Sequence, residues 1–173
     1  MKAFNGYGIV VDKQDRVWAT QIGTAAGSQP AVQMYDPKTD KWTAYPTSSP
    51  TRRLTVDSKG TIWANQYFGN RLVMIEPASG RVTEYPLPLK YGNLYEVWAD
   101  LDDNIWASNS VYNSLVKFDQ KTKQFTYYPF PEFRTHVPKM EVDPEGTLWF
   151  ALDRFALTAF KPKGNKPTRA STK

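Results

Sequence analysis

The chain holds one histidine and no cysteine. Disulfides, thiolate catalysis and Cys-ligated metals are therefore excluded, and His136 alone cannot build a metal cluster. Beside Arg134 and near Asp153, His136 could act as a general base or a metal ligand, or sit in a loop with its ring satisfied. The other side chains suited to holding a ligand are Tyr7, Gln21, Arg52, Gln66, Tyr67, Tyr95, Asn109, Tyr112 and Arg154. Aromatic and amide groups with little net charge suit a small neutral polar ligand or peptide, a sugar-like or peptide-like group held by stacking and hydrogen bonds. The plainer alternative for Gln21, Gln66 and Asn109 is that they cap strand ends and bond loop backbone, since side-chain bonds to backbone outnumber side-chain pairs. The Arg52-Arg53 pair could bind an anion; otherwise one points to solvent and one packs on a neighbouring Tyr.

These residues are brought together only if the chain repeats, and it does. Val11-Asp12-Lys13-Gln14-Asp15-Arg16-Val17-Trp18-Ala19 returns as Val56-Asp57-Ser58-Lys59-Gly60-Thr61-Ile62-Trp63-Ala64. It returns again around Asp100 and Trp106, and a fourth time around Asp143 and Trp149. The Trp-to-Trp steps are 45, 43 and 43 residues. A period of about 40–45 residues built from short strands is that of a β-propeller blade. Each copy reads as a hairpin with an Asp-x-x-Gly or Asp-x-x-Asn type turn, in which Gly or Asn supplies the positive φ. The four Trp residues fall on one strand face and form a packing layer between sheets.

The fold class is all-β, with four blades at residues 7–49, 50–91, 92–135 and 136–160. Tyr-Pro pairs at Tyr45, Tyr85 and Tyr128 close the outer strands of the first three, where a proline's missing donor can face solvent. The fourth blade has no aromatic or β-branched alternation after residue 160, so its outer strand is expected to be missing. Ligands of propellers sit over the central channel, on loops joining outer to inner and second to third strands, where the candidate residues fall.

Four blades without closure would leave two blade faces in water. The options are a piece of a longer chain, favoured here; two half-rings pairing by self-association, ranked second; or a small closed ring.

The formal charge of +5 is concentrated at one end. Lys161, Lys163, Lys166, Arg169 and Lys173 lie in a basic tail, residues 161–173, that has no Asp or Glu, leaving 17 basic against 17 acidic residues elsewhere. A neutral body argues against a nucleic-acid partner. No stretch approaches the ~20 apolar residues of a membrane span, so no membrane insertion is expected. The first residues carry no apolar signal segment. The compartment stays open, periplasmic or secreted if the chain is part of a longer protein.

Tyr7-Gly8-Ile9, Trp18-Ala19-Thr20-Gln21, Asn70-Arg71-Leu72-Val73 and Thr83-Glu84-Tyr85-Pro86-Leu87-Pro88 stand in an order and spacing that resembles the virginiamycin B lyase (streptogramin lyase) family of propellers. The similarity covers nearly all of residues 7–160. It implies the propeller fold and, for an active member, a lyase that opens a cyclic depsipeptide ester by elimination. There a His base works beside carboxylates that hold Mg²⁺. In the corresponding stretch, His136 falls where the first carboxylate would be and Pro138 where the base would be. Asp153 could stand in for the second carboxylate, and Tyr95 takes the base-like slot one blade earlier. The repeated carboxylate of the family reads Gln21, Gln66 and Asn109 here.

Three functions follow as expectations. The first is a non-catalytic ligand-binding or protein-interaction module, part of a larger bacterial protein or assembly. The alternative is an enzyme, a lyase or lactonase-type hydrolase with Mg²⁺ or Ca²⁺ at Asp153 and help from His136. The third is a truncated copy without activity of its own.

Overall fold

The computed structural model describes residues 6–23, 27–131, 136–152 and 156–162. Every regular element among them is a strand. The first blade is β1 (Ile9–Val11), β2 (Val17–Ala19), β3 (Ala31–Asp36) and β4 (Lys41–Pro46). The second is β5 (Thr51–Val56), β6 (Ile62–Gln66), β7 (Arg71–Glu76) and β8 (Arg81–Pro86). The third is β9 (Leu94–Ala99), β10 (Ile105–Asn109), β11 (Ser114–Asp119) and β12 (Gln124–Pro129). The fourth is β13 (Met140–Val142), β14 (Leu148–Leu152) and β15 (Ala156–Phe160). Each sheet is an antiparallel meander with its strands in chain order, the topology of a propeller blade. The fourth sheet has three described strands, and residues 163–173, which carry most of the basic tail, lie outside the described part.

One aspartate organises each hairpin. Asp12 Oδ1 accepts the N–H groups of Gln14 and Arg16 at 2.9 and 3.1 Å, while Oδ2 accepts the Trp18 indole N–H at 2.7 Å. Asp57, Asp100 and Asp143 repeat this with Trp63, Trp106 and Trp149, at 3.1, 2.7 and 2.7 Å. A single carboxylate thus satisfies the turn and anchors the indole, two polar obligations that would be costly if left open in a core. Burial pushes the Asp12 carboxyl up, but the bonds from Trp18 and Arg16 outweigh it and hold it below the ordinary carboxylate range.

The turn residue differs from expectation in two copies. Positive φ falls on Gly60 and Gly146, but on Asp15 and Asp103 in the first and third copies, not on Asn. Aspartate is among the few non-glycine residues that enter this region. Asn104, one position later, turns its amide onto Asp100 at 2.9 Å.

The core consists of three blade-to-blade layers of one design. A face carrying Trp18, Val32 and Met34 meets Leu54, Ile62 and Val73 of the second blade. Trp63, Leu72 and Met74 meet Val97, Ile105 and Phe118 of the third. Trp106 and Leu115 meet Met140, Leu148 and Phe150 of the fourth. Trp18, Trp63 and Trp106 are fully buried and fill these layers as the repeat predicts, but Trp149, on the same face of its own sheet, is 39% exposed. No further blade lies on it among the described residues, so the Trp packing layer has three members and not four.

Candidate functional site

The inner strands position the site through two bulges. Leu54 pairs with Ala64 and Thr51 with Gln66, so β5 carries one residue more than β6 across Arg52-Arg53. The third blade does the same across Tyr95-Glu96, between the pairs Val97–Ala107 and Leu94–Asn109. An extra residue in an edge strand bends it and re-aims its side chains. Register makes Tyr7, Arg52, Tyr95 and Pro138 equivalent in successive blades, with Gly8, Arg53, Glu96 and Lys139 one step deeper.

The upper positions converge at the channel mouth. The Arg52 guanidinium lies 3.5 Å from the Tyr95 ring centroid, 4.4 Å from that of Tyr67 and 4.8 Å from that of Tyr7. It donates to the Tyr7 hydroxyl at 2.8 Å, and the two hydroxyls of Tyr7 and Tyr95 are 3.2 Å apart. His136 stands edge-on to Tyr95 with ring centroids 4.1 Å apart. The hydrogen bond with Tyr95, helped by Arg52, holds the Tyr7 phenol below its ordinary value; Tyr95, bonded to Tyr7 and partly buried, is raised. A cation packed among π-faces and out of water is held tightly. The arrangement is a rigid platform of hydroxyls and ring edges.

The deeper positions line a cavity of about 340 Å³ along the channel, with Arg53, Glu96, Trp98 and Lys139 in its wall. Glu96 is buried; Oε1 accepts the Val97 N–H at 3.0 Å and Oε2 has no hydrogen bond, with Arg53 Nε 3.9 Å away. Burial pushes the Glu96 carboxyl up. Lys139 Nζ lies 4.2 Å from the Trp98 ring centroid and 3.4 Å from Glu141.

Of the residues singled out from sequence, Tyr7, Arg52, Tyr67, Tyr95 and His136 come together here. Arg53 does not simply face solvent: its guanidinium lies 4.8 Å from the Tyr7 ring centroid, turned by the bulge into the channel beside Glu96. Gln66 is fully buried and donates to Glu84 at 2.9 Å, so its amide is spent on neighbours within its own blade and the loop before it. Asn109 accepts the N–H groups of Asn93 and Tyr112, the capping alternative. Tyr112 donates to the Lys90 carbonyl at 2.6 Å, outside the cluster. Gln21 lies half-buried just beyond β2. Asp153, Arg154 and Arg134 lie outside the described residues.

Sequence reasoning missed Glu96, Lys139 and the role of Arg53. Their signal was present, because Arg53, Glu96 and Lys139 repeat at the cassette spacing of 43 residues. It also missed Phe68, which meets Tyr67 edge-on at 4.7 Å, and Tyr91; both are exposed, at 74% and 85%.

The Mg²⁺ site implied by the resemblance falls at Asp153, which lies outside the described residues; the residues that are described offer it no set of ligands. They contain no group of three His, Cys, Asp or Glu that could hold a metal ion, and Gln66 and Asn109 stand where carboxylates would be needed.

No protein-family model matches the chain, and no curated protein matches it. Solved structures do. Virginiamycin B lyase from Staphylococcus aureus superposes with a TM-score of 0.77 at 22% identity, over 94% of this chain and 58% of that one. A streptogramin B lyase structure gives 0.76 at 21% identity, over 93% and 56%. The extracellular domain of a hybrid two-component system, BT4673 of B. thetaiotaomicron, gives 0.73 at 14% identity, over 94% of this chain and 22% of that one. The chain is thus a propeller segment with the fold of virginiamycin B lyase, and it spans somewhat more than half the length of the lyase chains it matches.

Proposed function

We propose that this propeller segment is a binding module whose channel mouth takes an uncharged, hydrogen-bonding ligand with a flat face, sugar-like or peptide-like, without transforming it. The observation that carries this reading is the Arg52 guanidinium fixed among the rings of Tyr7, Tyr67 and Tyr95 and bonded to the Tyr7 hydroxyl.

Strand alternation supports it. Because successive strands reverse direction, the loops β6–β7 and β8–β9 open at the same end as Tyr7 and Tyr95. These loops carry Phe68 and Tyr91, large exposed aromatics that can offer stacking faces to a ligand. Preformed stacking faces beside fixed hydroxyls are the composition of a neutral-ligand site. The lyase alternative draws no support from the described residues, where no base stands beside a set of carboxylates. An exported setting belongs to this reading, in keeping with the extracellular domains that share the fold.

The test is to probe arrays of neutral oligosaccharides and uncharged peptides with the labelled chain, alongside Phe68→Ala and Tyr7→Phe. Phe68 is exposed, so its truncation leaves the fold intact. Bound probes should lose affinity by about fivefold or more on Phe68→Ala, the effect of removing one stacking anchor worth at least ~1 kcal/mol. A wild-type chain that retains none of these probes, or retains them as well without Phe68, overturns the reading.

A further inference from the structure

The two open faces of the four-blade arc are the two halves of one interface that the chain already makes three times. Each internal layer sets a face bearing Trp, and a Leu or Val on the neighbouring strand, against the aliphatic face of the next blade. The Trp face of the fourth blade has no such neighbour among the described residues. Trp149 is 39% exposed and Leu157, opposite Ala151 in the pair of β14 and β15, is 74% exposed. Their counterparts Trp106 and Leu115 are buried to within 1%.

The aliphatic face of the first blade is equally open. Ile9 and Val11 are exposed at 70% and 57%, whereas Leu54, which holds the register position of Ile9 in the second blade, is 6% exposed. Positions that are core in three interfaces are thus wet at both ends of the arc. Contiguous apolar residues exposed on a sheet face mark an interaction surface.

From this equivalence we infer that two copies of the chain associate head to tail, the Trp149 face of each seated on the Ile9 face of the other. A second copy is the fitting occupant because one chain carries both complementary halves, and the packing it would form continues the interface repeated inside it. An interface between unlike faces closes into a ring when the rotation allows. Two arcs of four blades related by a two-fold axis give eight blades, within the range that propellers use. Every blade face is then covered, and the channel lined by Arg53, Glu96 and Lys139 becomes enclosed.

The experiment measures solution mass by light scattering behind size exclusion at several micromolar concentrations. Wild type should run at twice the chain mass of 19.8 kDa. Ile9→Glu and Leu157→Glu, both at exposed positions and so without cost to the fold, should each be monomeric. An equimolar mixture of the two variants should recover a dimer, since each retains the half that the other has lost. A monomeric wild type overturns the inference. So does an Ile9→Glu variant that still dimerises, which would mean that like faces pair, and so does a mass that grows beyond two chains, which would mean that the ring does not close.

Discussion

Arg52 and Tyr95 hold the same register position in successive blades, and the guanidinium of one lies 3.5 Å from the ring centroid of the other. The contact forms where β5 and β9 each carry an extra residue. Both bulges turn one side chain up to the mouth and the next one down into the channel, so one local irregularity builds both storeys of the site.

Removing the cation should therefore loosen the whole mouth. Arg52→Met keeps the length of the side chain but loses the π-contacts and the bond to Tyr7. A desolvated cation–π contact with its hydrogen bond is worth about 2–3 kcal/mol, and thermal melts should show that loss. Arg52 also helps to lower the Tyr7 phenol, so one tyrosine should titrate at higher pH in a near-ultraviolet absorbance titration. Unchanged melting with an unchanged titration would show that the arginine is a bystander.

The aspartate–indole bond should matter most where water cannot replace it. Asp100 is buried and accepts from Trp106, from the Asn104 amide and from two backbone N–H groups. Asp100→Ala strands these donors and should cost about 3 kcal/mol or more in denaturant unfolding. At Trp149 the same bond is exposed, so Asp143→Ala should cost only a small fraction of that. Equal losses at the two sites would contradict a burial-dependent role.

Glu96 should impose a pH slope on stability. Its folded carboxyl is raised by burial, so the folded state holds the proton more tightly than the unfolded state does. The associated stability is fully present below the ordinary carboxylate range of about 4.3 and is lost as pH rises through the folded value of Glu96. Asp12, lowered in the fold, acts oppositely: its contribution is present above its unfolded value and lost as pH falls through its folded one. Glu96→Gln should flatten the decline in melting temperature on going from acid towards neutral pH, and at neutral pH it should be at least as stable as wild type. Parallel pH profiles for the two proteins would rule this out.

Gly8 is required by a close approach between blades. A Cβ there would meet the Arg52 carbonyl and Thr20 Oγ1 at 2.8 Å and Leu54 at 2.9 Å. The Gly8 N–H donates to Thr20 Oγ1, which in turn donates to the Arg52 carbonyl, so the clash falls on the bridge that ties β1 to β5. Gly8→Ala should destabilise by about 2 kcal/mol, in the range for overpacking. Gly23→Ala, where a Cβ meets nothing, is the control and should leave the melt unchanged.

The repeat by itself determined the fold. Alternating apolar residues between turn signals marked four blades in order, because a side-chain period of two gives each strand one face to bury. The Asp and Trp spacing marked every hairpin for a similarly local reason: the turn, the carboxylate and the indole lie within seven residues of one another. The aromatic and arginine members of the site could be named because the repeat identified which loops share an end.

What only the tertiary structure decided depends on neighbours. The bulges at Arg52-Arg53 and Tyr95-Glu96 follow from pairing with β6 and β10, and no pattern within one strand announces an extra residue. Thus the 43-residue spacing could mark Arg53 and Glu96 as equivalent positions, but not that they turn into the channel, nor that Gln66 spends its amide on Glu84. Trp149 makes the point most plainly. Its cassette matches the other three, yet it is exposed, because burial is a property of the sheet packed against a side chain and not of the residue or its spacing.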